Sequence, residues 1–226
     1  MKLNNDTLTV LKNFSAINGN LEFKAGKEIK TISTTKTVMA KATLTDEFPQ
    51  DFCVYDLNQF LSVYSLHKDS DIDFDDKNVI FKSGRSKIKY RKADKINIVT
   101  APDRDLVLPS VEVSFTLSET DLADLLKSAS VLQSQHIIIE SDGSKVHVTA
   151  CTIQQNGQHS ENTNSIEVCD GNGSVYSATF LTENFKMIPG SYEVEISSKG
   201  MASFKNTKQP IQYWIAIEAK HSTFAS

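Results

Sequence analysis

The sequence predicts an α+β fold built from two domains of similar design. Three observations carry that prediction. Helical spacing of apolar residues alternates with strict polar/apolar alternation along the chain. The longest irregular stretch, residues 101–109, holds two prolines and three charged residues and lies near the midpoint. The segments before and after that stretch run through the same order of patterns at similar spacing.

Taken in order, residues 7–23 (TLTVLKNFSAINGNLEF) open the first domain with a helix followed by a strand-like run. Leu8, Leu11, Phe14 and Ile17 form the expected buried stripe and Lys12 lies on the far side. A second helix is predicted over about 56–66, burying Leu57, Phe60, Leu61 and Tyr64 and showing Gln59 and Ser62 outward. Residues 71–75 (DIDFD) read as a strand with an acidic outer face, and Lys87-Ile88-Lys89-Tyr90-Arg91 as another strand. Pro102 and Pro109 then break regular structure, so the domains are expected at 1–109, including the connector, and 110–226.

The second domain opens with a helix over about 118–132. Ser118, with Asp121 three residues on, resembles a capping box. Leu122, Leu125, Leu126 and Ala129 share a face, and Lys127 sits opposite. Residues 145–149 and 193–196 alternate as antiparallel strands, with turns at Asp142-Gly143 and at 170–173. A short helix over 181–188 would bury Leu181, Phe185 and Ile188 and point Lys186 away. Trp214 alternates with Ile215, which predicts that one of them faces outward. An offset of 115 sets Leu11-Lys12 on Leu126-Lys127, and one of 125 sets Phe60 on Phe185, the pattern of an internal duplication. Three of the four helices would thus carry an outward lysine. Exposed helix positions often hold lysine for solvation alone. The functional alternative is a surface that faces phosphates, with the acids segregated onto strands.

Composition narrows the function classes. The chain has 39% hydrophobic and 23% charged residues, enough for a real core. No apolar run approaches the ~20 residues of a membrane span, and the polar start lacks a signal-peptide pattern, so the chain is expected to stay in the compartment where it is made. Cys53, Cys151 and Cys169 form no Cys-x-x-Cys pair and suit a reducing cytoplasm. A net charge of −4 argues against indiscriminate binding to nucleic acid. The calcium-loop reading of 71–75 fails because Asp76 and Lys82 stand where Gly and Glu are required. The phosphate-loop reading near Gly19 and Gly26-Lys27 fails on spacing and on Glu28. Gly171-Asn-Gly173 lacks a third glycine, and the five histidines and three cysteines show no zinc spacing. No metal, cofactor or catalytic constellation is expected.

Five segments together resemble the sliding clamps of tailed bacteriophages, the processivity factors of replicative DNA polymerases. They are 2–18 (KLNNDTLTVLKNFSAIN), 54–66 (VYDLNQFLSVYSL), 121–132 (DLADLLKSASVL), 184–194 (NFKMIPGSYEV) and 213–224 (YWIAIEAKHSTF). The resemblance implies a DNA-clamp fold of two duplicated domains, with antiparallel sheets outside and helices lining a homotrimeric ring. It implies double-stranded DNA bound without sequence preference, a replicative DNA polymerase and a clamp-loader complex as partners, no membrane association, no catalysis of its own, and the cytoplasm of the infected host cell as location. Lys12, Lys127 and Lys186 match the family's DNA-facing positions, with Lys2 and Lys68 as weaker candidates. Leu106, Val107, Leu108, Pro109, Ile215 and Ile217 are the candidates for a pocket that takes partner peptides; sealing of the domain junction is the alternative role for each. A structural β-rich virion component and a small enzyme with an unrecognised site are the competing readings.

Overall fold

The computed structural model describes residues 1–66 and 70–224. The chain divides into two compact units, Met1–Asp105 and Leu106–Ser226, with the division inside the irregular stretch 101–109. The first unit holds α1 (Asn5–Ile17), β1 (Leu21–Phe23), β2 (Gly26–Ile32), β3 (Val38–Phe48), β4 (Phe52–Val54), α2 (Leu57–Ser65), β5 (Asp71–Phe74), β6 (Asn78–Ser83) and β7 (Ser86–Arg91). Its strands pair in the orders β4-β1-β2-β3 and β5-β6-β7, all antiparallel.

The second unit holds β8 (Val113–Leu117), α3 (Glu119–Leu132), β9 (His136–Asp142), β10 (Lys145–Cys151), β11 (Asn164–Asp170), β12 (Val175–Leu181), β13 (Tyr192–Ser197), β14 (Met201–Asn206), β15 (Ile211–Ala216) and β16 (Thr223–Phe224). Here the orders are β11-β10-β9-β12-β16 and β15-β14-β13-β8. The plan of the first unit recurs. β12-β9-β10-β11 repeats β4-β1-β2-β3, and β13-β14-β15 repeats β5-β6-β7. Where β8 pairs with β13, the first unit has only Met1, which exchanges two 2.7 Å hydrogen bonds with Ile72 of β5.

Each core follows from the pattern of its elements. α1 packs on β3 and β2 and buries Thr7, Val10, Leu11, Phe14 and Ile17, so the stripe is turned slightly from the expected one and Leu8 is half-exposed. In α3, Leu122, Leu125 and Ala129 bury and Leu126 is half-exposed. The offset of 115 therefore lays Thr7, Val10 and Phe14 onto Leu122, Leu125 and Ala129, buried residue onto buried residue. α2 buries the four residues its spacing predicts. Phe23 stacks on Phe52 at 4.4 Å between ring centres, and Phe60 meets Phe81 at 5.2 Å.

Two expectations are overturned. Residues 181–188 form no α-helix, only a 3-10 turn at Thr182–Asn184. β12 runs to Leu181, and Pro189 biases Ile188 towards extended backbone, which leaves too few residues for helical hydrogen bonds to propagate. Phe185 and Ile188 bury as expected, but Leu181 only half does. Trp214 and Ile215 are both buried, so neither faces outward; β15 is covered on both sides, and alternation carries no information there.

Candidate nucleic-acid interface

Lys12 and Lys127 sit on helices whose ends are firmly fixed. Asn4 caps α1 by accepting the Thr7 amide at 2.8 Å, and its own backbone N–H donates to Asp46 at 2.8 Å. Asp46 thereby also supplies a negative charge at the positive end of the helix. Lys12 stands mid-helix on the exposed face with Thr9 and Ala16. Lys2 is exposed in the segment between the Met1–Ile72 bonds and the cap. Lys68 and its neighbour His67 lie outside the described residues.

In the second unit Ser118 accepts the Asp121 amide at 3.1 Å, and its hydroxyl donates to the Asp121 carboxylate at 2.6 Å. The expected box is thus present in altered form. Gln133, in the left-handed conformation at φ 53°, ends α3 by donating its amide to the helix carbonyls. Lys127 is exposed and borders a groove of about 660 Å³ with Asp124 and Asn164. A second groove, of about 570 Å³, sets the segment Leu181–Glu183 beside the last turns of α3. Lys186 is exposed just beyond that segment, on irregular chain instead of a helix.

Taken one by one, the helices are sparsely charged. α1 carries Asp6 and Lys12, α2 carries no charge, and α3 carries Glu119, Asp121 and Asp124 against Lys127. Each offers isolated cationic points at most and no continuous basic strip. Contacts of that kind to a polyanion would be weak and would not read sequence.

The connector has two unlike halves. Its first half is tied to the first unit by three lysines. Lys24 pairs with Asp103, while Lys30 and Lys41 reach Asp105 at 2.7 and 2.9 Å and also pair with Glu28. Hydrogen bonds from Lys30 and Lys41 pull the Asp105 carboxyl down to about 2. Sequence reasoning missed this cluster, because its lysines lie more than sixty positions before Asp103 and Asp105 and no local pattern links them. The second half, residues 106–109, is apolar and forms no ion pair with a described residue: Val107 is 80% exposed, and Leu106 and Leu108 are half-buried. Pro109 is exposed. Ile215 and Ile217 are buried in the second unit, at 0% and 8% exposure.

Comparison with known proteins decides the family. The sequence family described as DNA polymerase processivity factor matches residues 4–100. A sliding clamp of Escherichia phage RB69 is 32% identical over 225 residues, covering 97% of each chain. This chain belongs to the sliding-clamp family. A sliding clamp of Vibrio phage KVP40 is 28% identical and covers 97% of this chain and 100% of its own length. The fold agrees: a solved structure of A. fulgidus PCNA with the C-terminal region of FEN-1 superposes with a TM-score of 0.67 at 12% identity, over 93% of this chain and 94% of that one. The resemblance to phage sliding clamps drawn from the five segments therefore holds, and so does the clamp fold. The protein is a processivity factor of viral DNA replication, and membership in the family fits a non-enzyme.

Proposed function

We propose that this clamp assembles as a homotrimeric ring, encircles duplex DNA with its helices inward, and tethers the replicative polymerase through the connector, without catalysing a reaction. A clamp-loader complex would open and place it, in the cytoplasm of the infected host cell. The observation that carries this reading is the full-length match to a phage sliding clamp at 32% identity. Lys12, Lys127, Lys186 and Lys2 are the proposed phosphate contacts, with Lys68 as a further candidate. Their sparse spacing suits the task. A closed ring is held on DNA by topology, so weak contacts that exchange freely permit sliding where a strongly basic lining would brake it.

Retention on circular DNA tests the ring. The clamp, once loaded, should stay on nicked circles and run off after the circle is cut. Equal loss from circles and linear DNA would overturn the encircling mode. For the tether, Leu106, Val107, Leu108 and Pro109 form the proposed peptide surface. Leu108→Asp should weaken binding of a polymerase-derived peptide while the ring still assembles; unchanged affinity in a titration would remove Leu108 from the surface.

A further inference from the structure

Glycine follows asparagine at three places, Asn18-Gly19, Asn156-Gly157 and Asn172-Gly173. At such a step the chain carries both partners of a reaction with itself. The backbone nitrogen of the glycine attacks Cγ of the asparagine and closes a succinimide ring. A residue without a Cβ leaves that approach unobstructed. The three steps share this chemistry, and the fold treats them differently.

Asn18 is 4% exposed, and its side chain is fully engaged. Nδ2 donates to the carbonyls of Ile32 and Val99 at 2.9 and 3.2 Å, and Oδ1 accepts the Asn20 amide at 2.8 Å. Asn172 is exposed, but its turn is tied to the β9–β10 hairpin. Gly171 N–H donates to Ser144 at 2.7 Å, and Gly173 N–H, the would-be nucleophile, donates to Gly143 at 2.9 Å. A Cβ at Gly171 would lie 2.5 Å from the Gly143 carbonyl oxygen, so the two turns are in backbone contact. Asn156 stands apart from both. It lies in the connection between β10 and β11, where residues 154–159 are all exposed. The bonds that hold its turn are local. Gly157 N–H donates to Gln154 at 2.9 Å, and Gln154 N–H to Gln158 at 2.8 Å. The Asn156 amide exchanges two 3.0 Å bonds with Gln158. Gly157, at φ 82°, has the left-handed backbone that glycine adopts without strain. Exposed local bonds open far more often than bonds to a neighbouring hairpin or to a core.

We infer that Asn156 is a site of self-modification: in the folded clamp it deamidates to aspartate and isoaspartate ahead of Asn172 and Asn18, with water as the only other reactant. The Gly157 nitrogen gives its proton to solvent and bonds to Cγ. The Cγ–Nδ2 bond breaks, and the nitrogen leaves as ammonia after taking a proton from solvent. Water then opens the ring. Addition at Cγ breaks the new bond to the Gly157 nitrogen and yields aspartate. Addition at the main-chain carbonyl carbon of Asn156 breaks the original peptide bond and yields isoaspartate, with the chain running through Cβ and Cγ. The net change replaces ammonia by water and involves no oxidant. Either product makes the chain one charge more negative than the −4 of its sequence. Aspartate keeps the acceptor for the Gln158 amide and loses the donor to the Gln158 side chain. Isoaspartate also lengthens the turn by one methylene and shifts the register between Gln154 and Gln158.

The test incubates the full chain at neutral and mildly alkaline pH, in native buffer and in urea, and follows all three steps by peptide mapping with mass spectrometry. In the fold, acid at residue 156 should form at least about tenfold faster than at 172 or 18, because the ratio follows how often each turn opens. In urea the three rates should converge. All should rise with pH, since the attacking nitrogen must lose its proton. Asn156→Gln should remove both products at that position and leave the melting temperature unchanged. Equal or faster conversion at 172 or 18 in native buffer overturns the inference. So does an amide retained at 156 in the fold when urea converts it. Rates that differ as much in urea as in the fold would assign the ranking to neighbouring residues, and the structural argument would fail.

Discussion

The two units differ most where the second helix stands. In the first, α2 runs Leu57–Ser65 behind an Asp56 cap; at the matching place in the second there is one 3-10 turn, Thr182–Asn184, without a side-chain cap. Yet Phe60 and Phe185 are both buried, at 0% and 6% exposure. The buried aromatic is what the plan requires, and the helix is one of two ways to deliver it. Phe60 touches four rings, those of Phe23, Phe52, Phe81 and Tyr90, whereas Phe185 touches Phe180 and Phe204. Phe60→Ala should therefore cost about 4–5 kcal/mol, at the upper end for such truncations, and Phe185→Ala about 3 kcal/mol. Urea unfolding of both variants checks this. Equal losses would mean that the turn is anchored as firmly as the helix.

The cap sharpens the same contrast. Asp56 accepts the Gln59 amide at 2.9 Å, so Asp56→Ala should lose about 1 kcal/mol. Thr182→Ala, on a turn with no such bond, should lose less. A larger loss at Thr182 would show that its buried hydroxyl has a partner of its own, since no hydrogen bond to it is found among the described residues.

These elements also show what the sequence could and could not disclose. α1, α2, α3 and the acidic strand at Asp71–Phe74 were legible because each has one dry and one wet face. The spacing of Leu181, Phe185 and Ile188 is equally helical, but Pro189 and the length of β12 outweigh it, and flanks decide short elements where periodicity cannot. β15 misled because it is covered on both sides. Among the candidate site residues, exposure of Lys12 and Lys127 followed from helical pattern, Lys186 is exposed although the helix that placed it is absent, and Lys2 entered with the resemblance. The burial of Ile215 and the anchoring of Asp105 depend on neighbours distant in sequence, which one strand's pattern cannot reveal.

The connector offers an intermediate effect. The Asp105 carboxyl lies at about 2, below the ~3.9 of an unperturbed aspartate. The folded state therefore holds its proton less tightly than the unfolded one. The anchoring is fully present above pH ~4 and is lost as pH falls towards about 2. Asp105→Asn removes it at neutral pH. Amide exchange over residues 101–105 should rise several-fold, while residues 106–109 and the melting temperature change little. Exchange unchanged in 101–105 would show that Lys24 and Asp103 suffice.

The last contrast between the units lies where β1 and β9 begin. The offset of 115 sets Leu21 on His136, and both are buried. His136 Nδ1 accepts the Ile153 amide at 3.1 Å, so the ring is neutral in the fold. Burial, then the nearby charge of His221 and, less, of His159, pushes its pKa below the ordinary 6.5, with Glu218 opposing. Below 6.5 the unfolded chain takes up a proton that the folded one resists. Stability should therefore fall as pH drops from about 6.5 towards the lowered folded value and level off beneath it. His136→Leu makes the second unit resemble the first. At pH 7.5 it should lose about 1 kcal/mol through the orphaned Ile153 amide. Towards pH 5.5 the variant's urea midpoint should move less than the wild type's, so the two curves converge. Parallel curves would assign the acid sensitivity to another group.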